Sequence, residues 1–202
     1  MEKLSKLTAN KNIHLANINF NGFSSSSTWI GYFEETELVE PLNGIKLACE
    51  LFYNFFSNDL NDFILISALC FDDKADLDPR FNDYNGIYEI SKEKGYLKPL
   101  TDNYIKYLDG SPLLANHLSI HFDNDFFIPF CEMVMALSYS KVVGQVCFLI
   151  NPKLQIALYP HDDTGFGVIT LNENFSMGIE FLQYCGKNEF FDYYIDPSID
   201  KK

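Results

Sequence analysis

One arginine, Arg80, serves a chain of 202 residues. That scarcity all but excludes the forked guanidinium clamps with which proteins grip phosphate groups. The formal charge of −13 and a pI near 4.6 make nucleic acid a poor ligand as well, because neutralising its backbone takes clustered Lys and Arg. No apolar run approaches the ~20 residues of a membrane span. Nor does an apolar segment follow Met1–Leu7, so no secretion signal is expected there. The chain has no glycine-rich phosphate loop, and Ser24–Ser27 lacks the Gly-x-Ser-x-Gly setting of an activated nucleophile. Its five cysteines, Cys49, Cys70, Cys131, Cys147 and Cys185, are odd in number, widely spaced and set in apolar segments without a Cys-x-x-Cys pair. That usage fits reduced core thiols in a cytoplasmic protein, not disulfides or zinc.

What is present is apolar and aromatic. With 47% hydrophobic residues, 19 Phe and 12 Tyr, the chain can bury a real core and does not fit a disordered class. The stretch from Gly144 to Leu171 reads as three short strands in sequence. Gln145–Ile150 is apolar, Asn151-Pro152-Lys153 turns, and Leu154–Tyr159 alternates. Pro160, which cannot donate to a ladder, is expected to stop the second strand. His161–Gly165 then supplies a turn, with carboxylates to cap N–H groups and Gly165 free to take positive φ, before Phe166–Leu171 resumes. Trp29–Phe33, Phe63–Leu69, Gly86–Ile90 and Leu118–Phe122 read as further strands, and Ile13–Phe20 as a strand with a bulge. Helical spacing marks Leu42–Phe56, a short helix at Tyr104–Leu108, a helix with Pro129 in its first turn, and one from Asn172–Asn174 to Cys185 closed by Gly186. The tail Glu189–Asp196 alternates aromatics and acids before fraying. The pattern predicts an α+β fold with a mainly antiparallel central sheet, a C-terminal β-meander and flanking amphipathic helices. One domain spans 1–202, with residues 71 to 117 an insertion or a long crossover.

Three groups of residues could carry chemistry. His161, Asp162 and Asp163 offer imidazole and adjacent carboxylates, the ligand types of a metal-dependent hydrolase. Neighbours on an extended backbone point apart, however, so such a site needs ligands from elsewhere. Asp72, Asp73, Asp76 and Asp78 alternate like a calcium loop but lack its glycine and closing glutamate. His117 and His121 are four apart, on one face if that segment is a strand, with no third ligand nearby. No catalytic set assembles, so no cofactor and no enzymatic activity are expected. An acidic surface instead suits a basic protein partner and fast, salt-sensitive association. The candidate contacts are Glu34, Glu35, Glu37, Asp72, Asp73, Asp76, Asp78, Asp162 and Asp163.

The meander loop also resembles an uncharacterised bacterial domain family whose strand ends in Tyr-Asp-Asp-Arg-Gly-Cys-Asp and continues Val-Ile. Here the corresponding residues are Tyr159, then Asp162-Asp163-Thr164-Gly165-Phe166-Gly167-Val168-Ile169, with Pro160-His161 inserted. The family's closing Trp-Ile-Leu-Asp-Tyr-Asp is similar to Phe190-Phe191-Asp192-Tyr193-Tyr194-Ile195-Asp196, and its opening strand and helix resemble Trp29–Phe33 and Leu42–Phe56. Thr164 stands where the family has arginine, and Gly167 where it has its second acid. The resemblance implies an immunity role: direct binding that neutralises a basic toxin domain. The alternative is the hydrolase centred on His161, Asp162 and Asp163.

Overall fold

The computed structural model describes residues 17–20, 22–36, 41–76, 78–138 and 140–199. Its strands are β1 (Trp29–Glu35), β2 (Ile64–Ser67), β3 (Leu69–Phe71), β4 (Leu97–Pro99), β5 (Ser119–His121), β6 (Val142–Val143), β7 (Cys147–Asn151), β8 (Ile156–His161), β9 (Gly165–Thr170) and β10 (Phe191–Ile195). The helices are α1 (Pro41–Phe55), α2 (Phe81–Glu93), α3 (Asp102–Leu108), α4 (Asn124–Leu137) and α5 (Ser176–Cys185). Seven strands form one antiparallel sheet in the order β10-β1-β9-β8-β7-β2-β5, and β4-β3-β6 form a small second sheet. The fold is therefore α+β, built on the expected meander.

The large sheet is covered on both faces. One core packs Phe33, Phe52, Phe130, Phe166 and Phe181 between the sheet and helices α1, α2, α4 and α5. The other packs Phe148, Tyr159, Ile169, Tyr104 and Tyr107 beneath α3 and a 3-10 turn at Phe23–Ser25. Double coverage explains why β7 and β9 are buried along their whole length and read as continuous apolar runs.

Several expectations need correcting. Phe63–Leu69 is not one strand. The Ser67 hydroxyl accepts the Leu69 N–H at 3.2 Å and donates to Tyr96 O at 3.1 Å, so the chain leaves the large sheet after β2 and re-enters the small one as β3. Gly86–Ile90 lies inside α2, where Tyr84, Tyr88 and Ser91 recur at helical spacing on the buried side. Pro129 is an interior residue of α4, which begins five residues earlier. Gly186 keeps right-handed dihedrals (φ −70°); its lack of a Cβ instead makes room for the Tyr193 ring. Residues 17–20 form no strand, and the rest of Ile13–Phe20 lies outside the described residues. The alternating stretch of the tail forms edge strand β10, paired with β1.

Pro160 does not end its strand either. It sits past the last β7–β8 pair, Leu149–Leu158, where no N–H is demanded of it, while pairing with β9 continues to His161–Gly165. In the three-residue loop that follows, Thr164 takes the positive φ (57°), the left-handed third position typical of such hairpins.

Candidate partner-binding face

A β-bulge organises the exposed corner of the large sheet. The register of β1 against β9 slips between Trp29 and Gly31, and Gly31 adopts φ 152°, which residues bearing a side chain rarely adopt. A Cβ there would also sit 1.9 Å from the Tyr194 carbonyl oxygen. Because of the slip, Ile30 and Phe33 both enter the helix-side core, although they are three residues apart. Trp29 and Tyr32 accordingly share the opposite face, with ring centroids 6.2 Å apart. Tyr32 lies opposite Tyr194 on β10, and the next pair on that face is Glu34 opposite Asp192. Two tyrosines and two carboxylates thus stand side by side at the sheet's edge.

The meander loop adds to this corner. The Glu35 N–H donates to the Asp163 carbonyl at 3.1 Å, which brings the loop alongside the end of β1. Burial raises the Glu34 carboxyl above its usual range, and the charges of Asp163 and Asp192 raise it further. The Tyr32 phenol is raised by burial and then by Glu34, Tyr194 and Asp163. Among the described residues, none of Glu34, Asp162, Asp163 and Asp192 has a salt-bridge partner. Among the described residues the corner is a patch of negative charge without a paired cation.

The other candidates are placed differently. Glu35 projects to the helix side, where its carboxylate lies over Gly44 in the first turn of α1; a Cβ on Gly44 would come within 2.3 Å of its oxygen. The amide groups and dipole of a helix start favour an anion there, and the Thr164 hydroxyl also bonds to Glu35. Glu37 lies outside the described residues. In the 72–78 loop, Asp73 pairs with Lys92 at 3.1 Å and Asp78 grips Arg80 through two bonds of 2.8 and 2.9 Å. Asp72 accepts the Lys74 N–H, and Asp76 is exposed. That loop follows β3 of the small sheet, so the structure does not join it through pairing to the Glu34 corner.

His161, Asp162 and Asp163 do not converge. The His161 Nε2–H donates to the Phe33 carbonyl at 3.0 Å and the ring stands edge-on to Tyr32; burial lowers its pKa, so it is neutral at pH 7. The carboxylates of Asp162 and Asp163 are exposed and cap no backbone N–H among the described residues, contrary to the expected turn role. Among those residues no three His, Cys, Asp or Glu side chains are grouped to hold a metal ion. His117 lies in a 3-10 turn before β5, so it shares no strand face with His121, which stacks on Tyr96 at 3.6 Å. All five cysteines are free and buried.

Sequence reasoning missed Asp192, Tyr32 and Tyr194. For Asp192 and Tyr194 the signal was the alternation of aromatics and acids in the tail, the pattern of a strand with two different faces; Tyr32 lies in β1 and joins them through strand pairing. No helix among the described residues is long and apolar enough to cross a membrane. No protein-family model, curated protein or solved structure matches the chain.

Proposed function

We propose that this chain is a binding protein of the immunity type: an acidic cytoplasmic inhibitor that neutralises a basic toxin domain by direct contact and turns over no substrate. The observation that supports this reading is the carboxylate cluster Glu34, Asp163 and Asp192, held together on an exposed sheet edge with no salt-bridge partner among the described residues. Like charges opposite each other on a sheet destabilise the fold, so an uncompensated cluster suits an external cation. The −13 net charge steers a basic partner toward it over longer range. Exposed Asp162 extends the same surface. In the 72–78 loop, Asp73 and Asp78 are already matched by Lys92 and Arg80, which leaves Asp72 and Asp76 as its contribution.

The test is association with the basic product of a neighbouring gene. Neutralising Glu34, Asp163 and Asp192 together should slow association about tenfold or more at low salt and flatten its salt dependence. Neutralising Asp73 and Asp78 should change it little. Stoichiometric zinc or manganese in the purified protein, with hydrolytic turnover and no bound partner, would overturn the proposal in favour of the hydrolase.

A further inference from the structure

The rings beside the carboxylates form a definite geometric unit. Trp29, Tyr32 and Tyr194 occupy the corners of a nearly equilateral triangle, with centroids 5.7, 5.9 and 6.2 Å apart and planes inclined by 29 to 33°. Tyr194 is 42% exposed, and Tyr32 and Trp29 are half-buried. Elsewhere on this face the sheet is covered by the second core; Trp29 packs against the edge of that core, and Tyr32 and Tyr194 lie beyond it. The triangle is held from below. The Trp29 indole N–H donates to the Tyr159 hydroxyl at 2.9 Å, and the Tyr159 ring fills the space left by Gly167, the β9 residue opposite Tyr32. Glu34 and Asp192 lie two residues along their strands from Tyr32 and Tyr194, roughly 7 Å away.

We propose that this triangle and its two carboxylates seat one arginine side chain of the partner, an inference that rests on the binding role argued above. A guanidinium group is planar and weakly hydrated, stacks on aromatic faces, and forks onto carboxylates. The corner offers both surfaces at a separation that one extended arginine side chain spans. A neutral apolar group would strip water from Glu34 and Asp192 without replacing it, which disfavours it. The protein's own cations do not compete: among the described residues the cation–π contacts use Lys92 and Lys94 on Phe71, Tyr88 and Phe126.

Trp29 is the single tryptophan of the chain, so its emission reports directly on the seat. The full chain is titrated at low ionic strength with acetyl-Gly-Arg-Gly-amide, and with the same peptide carrying lysine or citrulline. Arginine should shift the emission saturably, lysine should bind more weakly, and isosteric uncharged citrulline should give no saturable change. Tyr194→Ala should weaken the arginine peptide about threefold to fivefold, and Tyr194→Phe, which keeps the ring, should restore it. Tyr194 is exposed enough for both variants to fold, and circular dichroism checks this. Equal binding of citrulline and arginine, or affinity insensitive to Tyr194→Ala, would overturn the seat. The two proposals fail separately. A basic partner that binds regardless of Tyr194 leaves the binding role standing without the seat; arginine-peptide binding with no basic partner leaves the seat without that role.

Discussion

Glu34 should destabilise the folded protein, and removing its charge should make the protein more stable while it binds less well. Glu34 lies in register with Asp192, and their side chains share one face with no salt-bridge partner among the described residues. Like charges directly opposite on paired strands cost on the order of 0.2–1 kcal/mol, and the partial exposure of Glu34 places it toward the lower half of that range. Urea unfolding near 20 mM salt should therefore show Glu34→Gln and Asp192→Asn each stabilising by about 0.3–0.5 kcal/mol. The double variant should gain little beyond either single one, since each removes the same repulsion. In 1 M salt, where the screening length is about 3 Å, the gains should largely vanish. The pH dependence has a definite sign. The folded protein holds the Glu34 proton more tightly than the unfolded chain does. Its protonation therefore favours folding fully below the unfolded value of about 4.3, and that contribution is lost as pH rises through the raised folded value. The advantage of Glu34→Gln over the natural protein should shrink across that window on acidification. Loss of stability in Glu34→Gln at low salt, or strictly additive single variants, would refute the reasoning.

Two further outcomes test the scaffold. Burial, with Lys98 nearby, lowers the His121 pKa to about 4, against the pull of Asp123 and a bond to Gly95, so the ring against Tyr96 is neutral at pH 7. The unfolded chain takes up this proton near pH 6.5, so stability is full above that value and falls as pH drops toward 4; between pH 7 and 5 the natural protein should lose about 2 kcal/mol more than His121→Gln, and parallel pH profiles would exclude it. Gly167→Ala should cost about 1–3 kcal/mol in chemical denaturation and shift Trp29 emission, because the new Cβ would fall 2.0 Å from the ring of Tyr159, whose hydroxyl accepts the Trp29 indole N–H.

Much of the fold was legible in the chain. The meander, α1, α5 and β1 follow from apolar periodicity and turn residues, which act over a few neighbours. The errors cluster where a local signal has two readings. The α2 segment carries its buried tyrosines at helical spacing, yet Gly86 and the branched residues around it suggested a strand. Phe63–Leu69 is apolar but for Ser67, and the Ser67 bonds to Leu69 and Tyr96 mark where it divides between two sheets.

Residue content alone makes the protein acidic, poor in arginine and rich in aromatics, and marks which of its segments can bury an apolar face. It could not determine which acids meet. Glu34 and Asp192 are 158 positions apart in the chain and adjacent in the sheet. Asp73 and Asp78, conspicuous in the sequence, are matched by Lys92 and Arg80. The bulge at Gly31 then places Trp29 and Tyr32 on one face, against a strand's ordinary two-residue period. Charge and hydrophobicity are properties of residues. Register, bulges and the pairing of distant strands come from closing the whole sheet over its two cores, and that closure decided where the aromatic and acidic side chains meet.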